Sequence, residues 1–168
     1  EVPSELGAPI NQFSNKNEFP DFKFRKYALP NTDTYSSSAF FFFFNDAIVL
    51  SLLATDGRYC FMSALDAYSN VFFSPGTRTT GNNAGNYLIT GPKWSGTVPA
   101  GIKEHIKSPT VIFWLLGYFQ VNSKEDGESF VIPIQNKLKI TPLTSWGKEY
   151  SPPQGKIDPT VSKEDPNT

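Results

Sequence analysis

From residue 36 to residue 143 the chain alternates short apolar runs with turn chemistry, and that leaves room for little except β-strands. Residues 36–44 read as a strand that ends in five consecutive phenylalanines, Phe40 to Phe44. A run without alternation predicts cover on both faces. Asn45-Asp46 breaks the run, and 47–53 is a second continuous apolar strand. Asp56-Gly57 is a strong turn signal, with a third strand over 58–63, and the three strands read as a meander. Further strands are expected over 68–73, 86–90, 110–121 and 138–143, with Gly-, Thr- and Asn-rich loops between them. One helix candidate covers 123–136. Ser123 suits its N-cap and Glu125 and Asp126 its first turn, while Gly127 and Pro133 weaken it. About seven short strands with at most one helix predict an all-β fold, a β-sandwich. We find no internal repeat and no heptad.

The two ends differ from this middle. Residues 1–30 carry Pro3, Pro9, Pro20 and Pro30, which forbid a long helix and favour extended chain. Yet they also carry Phe13, Phe19, Phe22, Phe24 and Tyr27. An extended segment studded with rings is expected to lie along a surface, its own or a neighbour's. Residues 151–168, with Pro152, Pro153, Pro159 and Pro166 and few apolar side chains, read as a tail or linker. The expected organisation is an N-terminal arm over 1–30, a sandwich over 31–150 and a C-terminal tail over 151–168. The chain opens on Glu1 and not on Met, so it is read as processed, truncated or partly represented.

Composition excludes several function classes. Fifteen Lys and Arg oppose sixteen Asp and Glu, so no basic stripe points to nucleic acid. No apolar run approaches the roughly 18 residues of a membrane helix. One cysteine, Cys60, excludes an internal disulfide framework, and one histidine, His105, excludes sites that need two. No metal and no cofactor are expected. Charged residues make up 18%, below the usual quarter or so, while Ser, Thr and Asn number sixteen, thirteen and twelve. A surface polar through hydroxyls and amides fits an extracellular, cell-surface or periplasmic protein. It equally fits an ordinary β protein with few helices. The chain has no Asn-x-Ser/Thr sequon. O-linked modification stays open.

Candidate chemistry is sparse. His105 beside Glu104 lacks the three-ligand set of a catalytic metal and reads as a loop residue. Cys60 between Tyr59 and Phe61 reads as an inert core thiol. Asp33, Asp56 and Asp66 sit at turns and strand ends, where Asp bonds local backbone, so turn chemistry outweighs a paired-carboxylate site. The best polar set is Asn11, Gln12, Asn31, Asp33 and Tyr35 with Arg58 and Asp66. One reading is a hydrogen-bond network that pins the arm to the sandwich, in which Asp33→Ala costs about 1–3 kcal/mol if it strands buried donors. The other is a sugar or small-ligand site formed by Asn31, Asp33, Tyr35, Arg58, Asp66 and Trp94, with Tyr68 and Tyr87 as further stacking faces.

A series of motifs resembles a recurrent bacterial family. They are Asn11-Gln12-Phe13, Phe19-Pro20-Asp21, the turn from Pro30 to Thr34 with Tyr35-Ser36-Ser37, Asp56-Gly57-Arg58-Tyr59 and Asp66-Ala67-Tyr68-Ser69-Asn70. The series continues with the stretch from Ser74 to Gly81, Gly91-Pro92-Lys93-Trp94, Ser108-Pro109-Thr110, residues 138–143 and Trp146-Gly147-Lys148. Over roughly residues 7–159 the chain resembles the family called domain of unknown function 1254. The resemblance implies an immunoglobulin-like β-sandwich and supplies no reaction. In that family the domain commonly precedes a second β-rich domain, and Asp158-Pro159 resembles the start of the link toward it. Three departures stand out. One residue fewer separates Thr34 from Tyr35, residues 38–44 are richer in Phe, and Gly117-Tyr118 replaces a Gly-Arg pair.

The function expected is non-catalytic: a structural or interaction domain that self-associates through its arms into a homo-oligomer or filament, since open sheet edges invite an added strand. The arm rings Phe13, Phe19, Phe22, Phe24 and Tyr27 are its expected assembly residues. The competing expectation is a carbohydrate or small-ligand module, or the first domain of an enzyme of unknown reaction, with a glycan as the possible partner.

Overall fold

A computed structural model describes residues 2–3, 8–19, 31–43, 46–153 and 157–158. Phe22, Phe24 and Tyr27 lie outside these residues. Eleven strands occur among them in chain order: β1 (Val2–Pro3), β2 (Ser14–Lys16), β3 (Thr34–Phe42), β4 (Ile48–Leu52), β5 (Cys60–Asp66), β6 (Val71–Phe73), β7 (Gly85–Thr90), β8 (Glu104–Lys107), β9 (Ile112–Gln120), β10 (Lys139–Pro142) and β11 (Ile157–Asp158). One five-stranded antiparallel sheet has the order β2-β3-β9-β5-β6, and a four-stranded sheet has the order β10-β4-β7-β8. Within the second, β7 and β8 run parallel and the other pairs antiparallel. The short β1 and β11 pair with each other, parallel.

The core lies between the two larger sheets. Along β3 the inward positions Tyr35, Ser37, Ala39 and Phe41 are buried and the intervening ones are half-buried. β9 matches them across the ladder with Phe113, Leu115, Gly117 and Phe119, so Phe41 stacks on Phe113 at 4.4 Å. The four-stranded sheet answers with Ile48, Leu50, Tyr87 and Ile89, which share one cluster with these residues. The fold is all-β, sandwich-like, with one short helix.

Three expectations need correction. The strands at 34–42, 48–52 and 60–66 are not a meander: β3 and β5 flank β9 in one sheet, while β4 lies in the other. The turn between β4 and β5 therefore crosses from sheet to sheet. The five-phenylalanine run does not bury both faces equally. Phe41 is fully buried, whereas Phe40 lies on the outer face, stacked 5.3 Å from Trp114. Full cover on both faces belongs instead to β4, where Val49 packs outward beneath Trp94, Ile102, Leu143 and Trp146. Finally, β2 and β8 are strands the sequence reading left out. Ser14-Asn15-Lys16 has no apolar pattern, and Glu104–Lys107 shows one buried residue, Ile106.

The helix α1 runs from Lys124 to Asn136 in three continuous pieces: Lys124–Asp126, a π-wound Gly127–Val131 and Ile132–Asn136. Ser123 caps it, its hydroxyl accepting from the Asp126 N–H at 3.2 Å. The π turn ends just before Pro133, which has no N–H for a regular helical ladder. Val131 is fully buried, and Gly127 rests directly on the Tyr35 ring.

Candidate functional site

An open cleft of about 620 Å³ lies between the β4–β5 turn and α1. One wall is Leu53 to Gly57, and the other is Ser129, Phe130, Pro133, Ile134 and Lys137. Local chemistry fixes the first wall. Asp56 and Gly57 both have positive φ, 49° and 81°, and the Arg58 N–H donates to the Thr55 carbonyl at 2.9 Å. That is the closure of a turn whose two central residues are left-handed, which Asp-Gly tolerates better than almost any pair. Thr55 and Asn82 tie the turn down. The Thr55 hydroxyl donates to the Arg58 carbonyl at 3.1 Å, and Asn82 Nδ2 donates to the same carbonyl at 2.8 Å.

Arg58 leaves this turn pointing at the start of α1. Its Nη1 and Nη2 grip Asp126 in a two-pronged ion pair, at 2.8 and 2.6 Å, and Nη1 also donates to the Gln120 carbonyl at 2.8 Å. Asp126 additionally accepts from the Asn122 N–H at 2.9 Å. The Arg58 hydrogen bond, foremost, and the Asn122 N–H hold the Asp126 carboxyl below the usual carboxylate range. The guanidinium lies 5.8 Å from the centre of the Phe130 ring. Phe130 remains 60% exposed. Sequence reading found Arg58 but missed Asp126 and Phe130, which carried no signal beyond their place in a helix candidate.

The other residues expected to share a ligand site with Arg58 lie elsewhere. Asn31 serves its own turn: Oδ1 accepts from the N–H groups of Asp33 and Thr34, and Nδ2 donates to the Thr34 hydroxyl. Asp33 is exposed, and the bond to its carboxylate is from the Thr32 hydroxyl at 3.5 Å. Tyr35 is buried in the core, its ring 5.2 Å from Phe19, and burial first, then the charges of Glu128 and Glu18, push its hydroxyl pKa up. Asp66 closes a loop at the far end of β5. Its burial works against ionisation, but hydrogen bonds from Asn70 and the Tyr68 N–H win and hold the carboxyl low. Trp94 covers the outer face of the four-stranded sheet, edge-on to His105 at 5.1 Å. Tyr87 is in the core and Tyr68 is 80% exposed, so these rings do not converge. His105 sits on β8, with Nε2 3.0 Å from the Thr90 hydroxyl, and not in a loop. Among the described residues no three His, Cys, Asp or Glu lie together as a metal set, and no helix is long and apolar enough to cross a membrane.

Residues 8–19 lie against this chain's own sandwich. β2 adds to the edge of β3, with Asn15 opposite Ser37. The Ser37 hydroxyl donates to Asn15 Oδ1 at 2.8 Å, and Gln135 Nε2 donates to the Ser36 carbonyl and the Ser37 hydroxyl at 3.0 and 3.2 Å. Asn11 exchanges bonds with β3, its N–H to the Phe40 carbonyl and its Oδ1 from the Phe42 N–H. Gln12 Nε2 donates to the Pro153 carbonyl at 2.6 Å. Phe13 and Phe19 pack against the core cluster. Asn11 thus pins the arm to the sandwich as one sequence reading held, whereas Gln12 reaches the tail at Pro153, and Asn15, Ser37 and Gln135 take the places given to Asn31 and Asp33.

The chain is similar to a solved structure, the VPA0106 protein from Vibrio parahaemolyticus, with 21% identity and a TM-score of 0.71. The likeness covers 98% of this chain and 37% of that one, so the chain spans little more than a third of that protein's length. At that identity the likeness is one of fold. No curated protein matches the chain. A family model described as "Protein of unknown function (DUF1254)" matches residues 10–142, most of the sandwich and the arm from residue 10 onward. The chain belongs to the DUF1254 family.

Proposed function

We propose that this domain works without catalysis, as an interaction module that associates with copies of itself through its terminal arms. The observation that carries the reading is the way residues 8–19 are attached. They dock on a prepared surface: the β3 edge for β2, and the core margin for Phe13 and Phe19. Apart from the bond from Gln12 to Pro153 of the tail, the contacts named for residues 8–19 join them to the sandwich, so an arm donated by a neighbour would satisfy the same groups. Exchange of an identical element is a low-cost route to association. Passed head to tail, it extends into filaments unless the rotation closes. The pairing of β1 with β11 and the Gln12–Pro153 hydrogen bond support a role for both ends in one assembly surface. An extracellular, cell-surface or periplasmic setting belongs to the same reading, supported by the 18% share of charged residues.

Light scattering and negative-stain microscopy of the whole chain test this. Oligomers or filaments are expected, and deletion of residues 1–20 should disperse them while deletion of 155–168 weakens them. A parent chain that stays monomeric at high concentration, or truncated forms that both keep its oligomeric state, would refute the reading.

A further inference from the structure

The arms leave one feature unused, the cleft around Arg58. The geometry points to a saccharide site in this cleft, with Phe130 as the platform and Arg58, Asn122 and Asp56 as the polar contacts. A sugar ring presents an apolar face of C–H groups and an edge of hydroxyls that both donate and accept. A matching site needs a solvent-facing aromatic ring beside planar donors and acceptors held in place. Phe130 supplies the ring. It stands in the wall of the cleft with most of its surface open, and Arg58 borders it. Phe130 stands on the π-wound turn of α1, and such turns recur at functional sites.

The polar groups are pre-set. Arg58 spends three hydrogen bonds on Asp126 and the Gln120 carbonyl, which lock its plane. A guanidinium has five N–H groups, so two are left for a ligand. The Asn122 Oδ1 accepts from Gln120 Nε2 at 3.2 Å, which fixes the amide and leaves its own N–H₂ free to donate. Asp56, held by the left-handed turn, places an acceptor on the opposite wall. Preorganisation of this kind lowers the cost of binding.

Charge argues for an uncharged ligand. Arg58 is matched by Asp126, and the lining carries one further cation, Lys137, and one further carboxylate, Asp56. An anion such as phosphate would have to compete with Asp126 for the guanidinium. The volume lies within the range of about 300–1000 Å³ usual for ligand pockets, ample for two or three sugar rings.

The test is an amide-resolved NMR titration of the whole chain with four trisaccharides: maltotriose, cellotriose, mannotriose and triacetylchitotriose. At least one should give saturable shifts confined to residues 53–58 and 120–137. Phe130→Ala, at an exposed position that leaves the fold intact, should weaken that binding about tenfold or more, the scale of one lost anchor. Tyr68→Ala, equally exposed but at the far end of β5, should leave it unchanged. The inference is overturned if none of the four sugars gives saturable shifts there. It is also overturned if Phe130→Ala leaves the affinity unaltered, or if inorganic phosphate saturates the cleft in place of the sugars.

Discussion

Replacing Gly127 with alanine sets two effects of opposite sign against each other. Inside a helix, alanine is favoured over glycine by up to about 1 kcal/mol, because glycine loses more backbone freedom on folding. Propensity alone therefore predicts a more stable protein. Packing predicts the reverse. A Cβ at position 127 would lie 2.5 Å from Tyr35 Cε2 and 2.7 Å from Cζ and Oη. Real contacts of that kind begin well beyond 3 Å. Tyr35 cannot swing aside, being 2% exposed and set against Phe19 in the core cluster. Overpacking a filled site costs about 1–3 kcal/mol. The clash outweighs the propensity, and we expect a net loss of about 1–2 kcal/mol. Urea unfolding followed by far-ultraviolet circular dichroism would read it as a lower midpoint at unchanged slope. In a Tyr35→Leu background the obstructing ring is gone, and the same substitution should cost little or even stabilise. A Gly127→Ala protein as stable as the parent, or an equal penalty with and without the Tyr35 ring, would refute the argument.

Gly76→Ala should be worse, at about 3 kcal/mol or more, because its Cβ would meet the backbone of Cys60 and Phe61, which cannot move aside, at φ 155°; thermal unfolding would register it. Ser123→Ala removes the cap of α1 and should cost about 1 kcal/mol, read by the same urea curves. Asp33→Ala should stay within about 0.5 kcal/mol, well below the sequence expectation, because its carboxylate is exposed and strands no buried donor. Asp126 has its pKa lowered on folding, so its contribution is complete above the unfolded value of roughly 3.9 and is lost as pH falls through the lower folded one. Asp126→Asn should therefore flatten the acid side of the stability profile, measured by denaturant titration between about pH 5 and pH 2.

How much of this was legible depended on which force set each element. Strands built on burial announced themselves: the apolar runs behind β3, β4, β7 and β9 all fall within two residues of their expected bounds. So did turns built on backbone chemistry, as at Asp56-Gly57, and the Ser123 cap. Pairing was another matter. The order β3-β9-β5 depends on contacts between distant parts of the chain, and no local pattern encodes them. The inner and outer faces of the phenylalanine run were illegible for the same reason, since five identical residues carry no alternation to read. β2 escaped notice because groups far away, the Ser37 hydroxyl on Asn15 and Gln135 on Asn15 and the Lys16 carbonyl, hold it in place. The cleft was half legible. Arg58 stood out beside its turn, but its partner Asp126 looked like an ordinary first-turn acid, which it also is.

The central ladder joins Thr34 to Gln120 and Phe42 to Ile112. During synthesis from the N-terminus, Phe40 to Phe44 therefore leave the ribosome long before β9, the strand that β3 pairs with, exists. Loop closure over such a span is slow, and folding speed falls as contacts become more distant. For all that time the nascent chain displays five adjacent rings of high β-propensity with no charge among them, the profile of an aggregation-prone segment. The serines at 36–38 and Asn45-Asp46 flank the run and act as its gatekeepers. The demand on chaperones should thus peak while residues 45–110 are being made, and fall once β9 has emerged.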